Sequence, residues 1–311
     1  MATMNVLVTG GAGYLGAVLV EQLLLKRHKV TVVDSFRHGV PSLLHLCADP
    51  DLTVIKDDAR VSIRNRIKDF DVIMPLAAIV GAPACDLDGL AAHSTNEEAV
   101  GVIVRHASAD QGIIFPNTNS GYGVGAEAEC TEESPLYPIS LYARTKANAE
   151  KRVLEHPNGV SLRFATLFGC SSRMRLDLLV NDFVHRAVLD RALTVFEGRF
   201  RRNYLHVQDA AAAFLFAMDN IEKMRGKAFN AGLSDANLTK LQLCARIRDQ
   251  LPEFVWNESP IGEDPDKRDY VVSNAKLEAL GWKPLRMLDG GISELIRAFS
   301  AMPFEQHRNA A

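Results

Sequence analysis

Tyr142 and Lys146 stand one helical turn apart in the segment LYARTK, so a helix there turns both side chains to one face. An ammonium beside a phenol favours the phenolate and draws its pKa down from about 10 toward working pH, where it can take a proton from a sugar or alcohol hydroxyl. Taken alone, such a pair is most often a solvated surface pair, and only its place in the chain argues for chemistry. Thr118 precedes the pair in the segment PNTNSGYG, where its hydroxyl could bond the reacting oxygen and help pass the proton. Asn117, Ser120, Gly121 and Gly123 around it are turn formers, so a plain turn is the competing reading.

These residues need a scaffold, and the chain is patterned for one. Short apolar runs at 4–9, 29–34, 52–55, 71–75, 113–116 and 160–165 read as buried parallel strands. Helical patterns at about 14–27, 59–68, 86–110 and 137–156 alternate with them. The alternation predicts an α/β fold, a Rossmann-type doubly wound parallel sheet. Beyond 166 a smaller α+β part is expected, with helices at 177–190, 209–221, 239–250, 274–280 and 289–300 and strands at about 193–196 and 203–207. Pro252, Pro260, Gly262, Pro265 and Pro284 break it up, and the tail 305–311 is expected to fray.

The first strand runs into Gly10, Gly11, Ala12, Gly13, Tyr14, Leu15 and Gly16, and an apolar helix opens at once. Glycines at such a turn let backbone approach a pyrophosphate, which the free N–H groups of the helix N-terminus attract. Asp34, followed by Ser35, ends the second strand, where a carboxylate accepts from adenosine ribose hydroxyls and repels a 2′-phosphate, favouring NAD over NADP. A cap or turn role for Asp34, and a 2′-phosphate role for nearby Arg37, are the alternatives. Asp57 and Asp58, ahead of Ala59, follow the third strand, either beside the adenine or as a solvated helix start.

Composition limits the partners. The 311 residues are 47% hydrophobic and 23% charged, an ordinary globular mixture. With 35 Lys and Arg against 38 Asp and Glu the net charge is −3, so no basic field for nucleic acid or an anionic membrane is expected. The five cysteines show no metal-ligand spacing and no disulfide framework, so no metal is expected and a reducing cytoplasm is. No leader pattern or membrane-length apolar run is visible.

The segments GGAGYLG, TNSGYG, LYARTK and RRNYLHVQDAA, in this order, resemble the extended short-chain dehydrogenase/reductases, the NAD-dependent epimerases and dehydratases of nucleotide sugars. The resemblance extends over nearly the whole chain, through KLEALGWKP. It implies Thr118, Tyr142 and Lys146 as catalytic residues, Asn96 near the nicotinamide, Leu76, Ala77 and Ala78 as a turn lining the cofactor, and Phe164 as an aromatic against it. It implies residues 1–167 with about 202–232 as the NAD-binding domain, and about 168–201 with 233–311 as the nucleotide-sugar-binding domain. Dehydratases of the family carry Asp and Glu after the catalytic Thr, whereas this chain has Asn119 and Ser120, which neither hold nor release a proton near neutrality and, with Thr118 and Thr166, are expected as substrate contacts on the resemblance. That leaves oxidation of a sugar hydroxyl, at C4 on the resemblance, with the ketone either re-reduced as an epimer or released.

The segments IVGAPACD, RMRLDLLVNDF and GEDPDKRDY resemble the GDP-manno-heptose 4-dehydrogenases of polysaccharide pathways, implying a GDP-linked sugar in preference to a UDP-linked one. Thr166 stands where family epimerases have Asn, which argues against a UDP-hexose 4-epimerase, the alternative. Arg202 and Arg268 match arginines that hold the substrate diphosphate, and Asn181 matches a substrate contact. Arg173 and Arg175 are phosphate candidates by chemistry, with a solvated surface role equally open. Cys85 reads as a buried inert thiol or a pocket residue. A homodimer through the helices at 96–110 and 140–156 is implied, while a non-catalytic NAD-binding sensor of the same fold is a further alternative that the intact Thr118, Tyr142 and Lys146 argue against.

Overall fold

The computed structural model describes residues 3–124, 129–260 and 268–302. The expected breaks at Gly262 and Pro265 and the tail at 305–311 lie outside the described residues. The first half alternates as its pattern predicts: β1 (Asn5–Thr9), α1 (Tyr14–Leu25), β2 (Lys29–Asp34), β3 (Leu52–Lys56), α2 (Ala59–Ser62), β4 (Val72–Pro75), α3 (Ala82–Leu87), α4 (Gly89–His93), α5 (Ala99–His106), β5 (Gly112–Thr118), α6 (Leu141–Leu154) and β6 (Gly159–Phe164). There follow β7 (Thr166–Phe168), α7 (Leu179–Leu189), β8 (Ala192–Val195), β9 (Arg201–His206), α8 (Val207–Asp219), α9 (Ile221–Met224), β10 (Lys227–Ala231), β11 (Asn237–Thr239), α10 (Lys240–Arg248), β12 (Val255–Glu258), α11 (Ala275–Glu278) and α12 (Leu288–Ala301).

Seven parallel strands form one sheet in the order β10-β6-β5-β4-β1-β2-β3. The central strands β1 and β4 are buried apolar runs because helices cover both faces of the sheet, whereas β5 and β6 also carry the buried polar residues Asn117, Ser161 and Arg163. Val6, Val8, Val72, Met74 and Ile114 pack in one core with α1 and α8, while Leu7, Ile73, Ile113 and Phe115 pack in the other with Val100, Ile103, Ala149 and Val153 of α5 and α6. The order reverses between β1 and β4, and it is at such a switch point, beyond the carboxyl ends of the strands, that a crevice opens. No helix among the described residues is long and apolar enough to cross a membrane.

Three expectations need correction. The helix expected over 86–110 is broken: Asp88 leaves helical geometry at φ −143° and its side chain caps α4 by accepting from Ala91 N. The chain then widens into a π-turn at Ser94–Glu98 before α5. The helix expected over 59–68 stops at Ser62 and continues as two 3-10 turns. α6 starts at Leu141 because Ser140 caps it, not at 137. The strands β7, β10, β11 and β12 were not expected at all; each is five residues or fewer, too short for a period-2 pattern to stand out. β7, β9 and β11 form a separate sheet, and β8 pairs with β12.

Helix α12 closes against β7 and β9 through one carboxylate. Glu294 accepts from Cys170 N at 2.8 Å and lies 3.3 Å from the buried His206 ring. Burial works to raise the pKa of Glu294, but His206 and the Cys170 N–H outweigh it and hold the carboxyl at about 2. A carboxyl depressed on folding stabilises above its unfolded pKa of about 4.3 and loses that contribution as pH falls through its folded value. Glu294→Gln should therefore lower Tm at pH 7, with the deficit shrinking between pH 4 and 2 on thermal unfolding; a deficit constant over that range would contradict the assignment.

Candidate active site

The crevice is a cavity of about 620 Å³. At one end lies the glycine turn. Gly10 takes φ +70°, and a Cβ there would sit 2.6 Å from Ala77 N, so β1 and β4 can leave the sheet side by side only with glycine at this position. A Cβ on Gly16 would fall 2.4 Å from Gly10 O, which is why α1 can start so close to the turn. No side chain caps α1, whose cap residue Gly13 lines the cavity along with Tyr14, Leu15 and Gly16. The cradle fits a nucleotide pyrophosphate: small residues, a helix N-terminus without a side-chain cap, and Asp34 beside it.

Asp34 accepts from Ala12 N at 2.9 Å and Phe36 N at 2.8 Å, clasping the turn to the end of β2, and it also lines the cavity with Ser35. The cap reading and the ligand reading of Asp34 are thus compatible. Asp58 caps α2 and forks the guanidinium of Arg60, and these hydrogen bonds hold its carboxyl below the usual carboxylate range. Asp58, Ala59 and Arg60 line the cavity, as do Leu76, Ala77, Ala78 and Phe164.

Four expected contacts are not brought to the cavity wall. Asp57 turns back to accept from Asp58 N. Asn96, turned inward by the π-turn, holds both Ile79 N and Ile79 O and reaches Thr145 Oγ1, so it braces the Ala77–Ala78 turn from behind. Asn119 is 1% exposed and its side-chain amide has no partner among the described residues. Asn181 accepts from Gly169 N and donates to Arg175 O and the Tyr14 hydroxyl, bracing the loop after β7. For Asp57, Asn96 and Asn181 the backbone competes for the polar side chain, which goes where its bonds are satisfied. Tyr14 lines the cavity, and its hydroxyl donates to Gly169 O at 2.6 Å. Cys85 is buried with its thiol directed to Ile79 O, outside the lining.

Tyr142, Lys146 and Thr118 share the cavity. The Lys146 ammonium lies 3.9 Å from the centroid of the Phe115 ring, and burial brings its pKa down to about 7 against the pull of Glu150. Burial pushes the Tyr142 phenol up to about 12, with Arg175 and Arg268 the cations that oppose it. This corrects the expectation of a depressed phenol: desolvating a phenolate outweighs the neighbouring charges here. Thr118 accepts from Ser120 N and its hydroxyl lies 2.8 Å from that of Ser120, so the residue both shapes the turn and faces the cavity.

Ser120, Thr166, Arg175, Arg202 and Arg268 also line it. Arg268 meets the Ser120 hydroxyl and lies 3.4 Å from the Tyr270 hydroxyl, while Arg202 is stacked 5.9 Å over the Tyr270 ring. Arg175 is forked by Asp177 at 2.7 and 3.0 Å. Arg173 faces the same space and is buried, so the surface reading of this pair fails. Residues that sequence reasoning missed are Arg60, His38, Asp177 and Tyr270. Burial together with Arg173, Arg37 and Arg175 presses the His38 ring down to about 4, so it is neutral beside these cations. Tyr270 had a signal, two residues beyond Arg268 in a strand-like stretch; His38 and Asp177 had none.

The sequence profile described as the NAD dependent epimerase/dehydratase family matches residues 6–232. A protein of Arabidopsis thaliana named UDP-glucuronic acid decarboxylase 1 is 26% identical over 95% of this chain and 70% of its own. The UDP-glucose 4-epimerase of Lactobacillus helveticus is 26% identical over 90% and 92%. The crystal structure of UDP-glucuronic acid 4-epimerase from Bacillus cereus, in complex with UDP-glucuronic acid and NAD, superposes with a TM-score of 0.82 at 23% identity, covering 95% of this chain and 99% of that one. With a family match spanning most of the chain, and a seven-stranded parallel sheet whose glycine turn opens on a cavity holding Tyr142 and Lys146, the chain belongs to the NAD-dependent epimerase/dehydratase family of enzymes.

Proposed function

We propose that this enzyme oxidises a ring hydroxyl of a nucleotide-diphosphate sugar, at C4 on the sequence resemblance, with Tyr142 taking the hydroxyl proton. One observation carries the reading: a single cavity is lined by the glycine turn and Asp34, by Tyr142, Lys146 and Thr118, and by Arg202 and Arg268. When bound, NAD supplies the acceptor for the hydride that leaves the oxidised carbon. Tyr142 Oη receives the proton, with Arg175 and Arg268 the cations that favour its phenolate and the Lys146 ammonium one helical turn on in the same cavity, and Thr118 Oγ1 bonds the reacting oxygen. Arg202 and Arg268 hold the diphosphate, to which a guanidinium offers paired N–H donors and a permanent charge. Asn119 and Ser120 lack the carboxyl pair that water elimination requires, so the ketone is returned to an alcohol or released.

On this reading residues 1–167 with about 202–232 make up the NAD-binding domain and about 168–201 with 233–311 the nucleotide-sugar-binding domain, with Thr118 and Arg202 of the first reaching the substrate. Two copies pair through α5 and α6, and a monomer by light scattering at micromolar concentration would remove that part. The GDP-linked sugar suggested by the resemblance is the first arm of the substrate test. A 4-epimerase of a UDP-hexose is the second, favoured by the UDP-sugar names of both relatives.

The test is absorbance of NADH, with product analysis by NMR, over a panel of GDP- and UDP-linked sugars with and without added NAD⁺. A keto product with NADH on a GDP sugar supports the dehydrogenase. An isomer of a UDP-hexose without net NADH supports the epimerase. No turnover on any member, from a protein that binds NAD, would replace both with the sensor.

A further inference from the structure

Glu150 lies one turn beyond Lys146 on α6, is buried, and is not part of the cavity lining. Its carboxylate takes hydrogen bonds from two strands. Asn117 Nδ2 of β5 and Ser161 Oγ of β6 each donate at 2.6 Å, and Arg163 of β6 donates through Nη2 at 2.7 Å and Nε at 3.1 Å. Arg163 continues to the Tyr122 hydroxyl and to Glu132 O, and the Tyr122 hydroxyl donates to Asn230 of β10. A polar network of this size beneath a parallel sheet is costly unless every member is satisfied, which makes its geometry specific.

Two lines run from Glu150 to the reacting groups. Asn117, held by the carboxylate through its Nδ2, uses its Oδ1 to accept from Thr118 N at 2.8 Å, fixing the strand end that presents the Thr118 hydroxyl. The second line is charge. Lys146 is 3% exposed, packed on the Phe115 ring of β5, with Tyr142 on its own helix and the Cys85 thiol of α3 nearby. Burial pushes that thiol up to about 11, so it is neutral at working pH and Glu150 is the ionised group that counters the burial of the ammonium. Burial would raise the Glu150 carboxyl, but Arg163, Ser161 and Asn117 together hold it below its ordinary value, so it stays charged.

We propose that Glu150 is a positioning residue for proton transfer: it supplies the buried negative charge on which the Lys146 ammonium depends and, through Asn117, pins the strand end carrying Thr118. The proposal rests on the roles given above to Tyr142, Lys146 and Thr118, yet it is tested without substrate, so it can fail while they stand, and the reverse.

The readout is the ¹³Cε shift of Lys146 against pH in the free protein, assigned by its absence in Lys146→Met. In Glu150→Gln the midpoint should fall by about one pH unit or more, because the opposing charge is gone while burial remains. Should the unpaired Arg163 prevent that variant from folding, Glu150→Gln with Arg163→Gln removes the buried pair together, and a smaller fall in the same direction is expected, because losing the Arg163 cation offsets part of the loss of the carboxylate. Glu150→Asp keeps the charge and shortens the reach, so its midpoint should stay near that of the unsubstituted chain. A role confined to packing predicts no change of midpoint in any folded variant, and that result overturns the proposal. A fall in Glu150→Asp equal to that in the glutamine variants overturns it too, because charge would then not be the cause.

Discussion

Tyr142→Phe should lower kcat by roughly a thousandfold, within the range that a positioned acid or base contributes, and leave NAD binding and Tm unchanged. The ring packs against the cluster of Ile79, Cys85 and Ala92, and phenylalanine keeps those contacts while removing the one atom that can carry the proton. The sign of the pH dependence follows from burial. A phenol held near 12 must ionise to act, so the rate of the unsubstituted enzyme should climb with pH on its acid side, and the residual rate of the variant should not. The Tyr142 and Lys146 titrations are linked through their shared site, so any apparent pKa read from that limb belongs to the pair. The measurement is turnover of the best member of the nucleotide-sugar panel from pH 6 to 9; a variant within threefold of the unsubstituted chain would end the assignment of Tyr142 as base.

The second large effect is expected at Gly10. In Gly10→Ala the residue must hold a left-handed backbone at a cost of roughly 1–2 kcal/mol. Its Cβ would also press on Ala77 N and Cα, which are backbone atoms of the neighbouring strand exit and cannot rotate away. Because the turn and the β4 exit both line the cavity, the strain reaches the cofactor cradle as well as the sheet. NAD affinity should weaken at least about tenfold, equivalent to about 1.4 kcal/mol, and Tm should drop by several degrees. Gly13→Ala is the contrasting variant: φ is −77° there and the only close atom is Gly10 O at 3.1 Å, so Tm should hold while NAD binding weakens through the methyl group in the cradle. Isothermal titration with NAD and thermal unfolding read both, and an alanine at 10 that binds NAD as tightly as glycine would show that the turn is not the cofactor cradle.

The alternation of β1, α1, β2 and β3 and the start of α1 at Tyr14 were legible because they rest on local rules, short continuous apolar runs for buried parallel strands, a 3.6-residue period for helices, and glycine after a strand. The strand β10 was not legible, since KAFNA is only five residues and becomes a strand by pairing with β6. The break at Asp88 was also missed: a capping aspartate within an apolar stretch is visible, but nothing local says that the chain turns there so that Asn96 can reach Ile79.

The candidate site divides along the same line. The amino-acid order alone determined that a glycine turn precedes a helix, that Tyr142 and Lys146 share a helix face, and that Asn119 and Ser120 carry no carboxyl, because each is a matter of residue type and spacing within a few positions. Tertiary packing decided which polar side chains face the cavity and which serve as braces: Arg173 and Arg175 face it, while Asn96 and Asn181 spend their amides on backbone groups from other elements. It also decided the sign of the Tyr142 shift and brought Glu150 under Lys146 and Thr118 at once. The physical reason is common to all of these. Burial and the partners of a polar group depend on segments far apart in the chain, and the free energy of desolvation, which no spacing encodes, sets both the direction a side chain takes and the charge it carries.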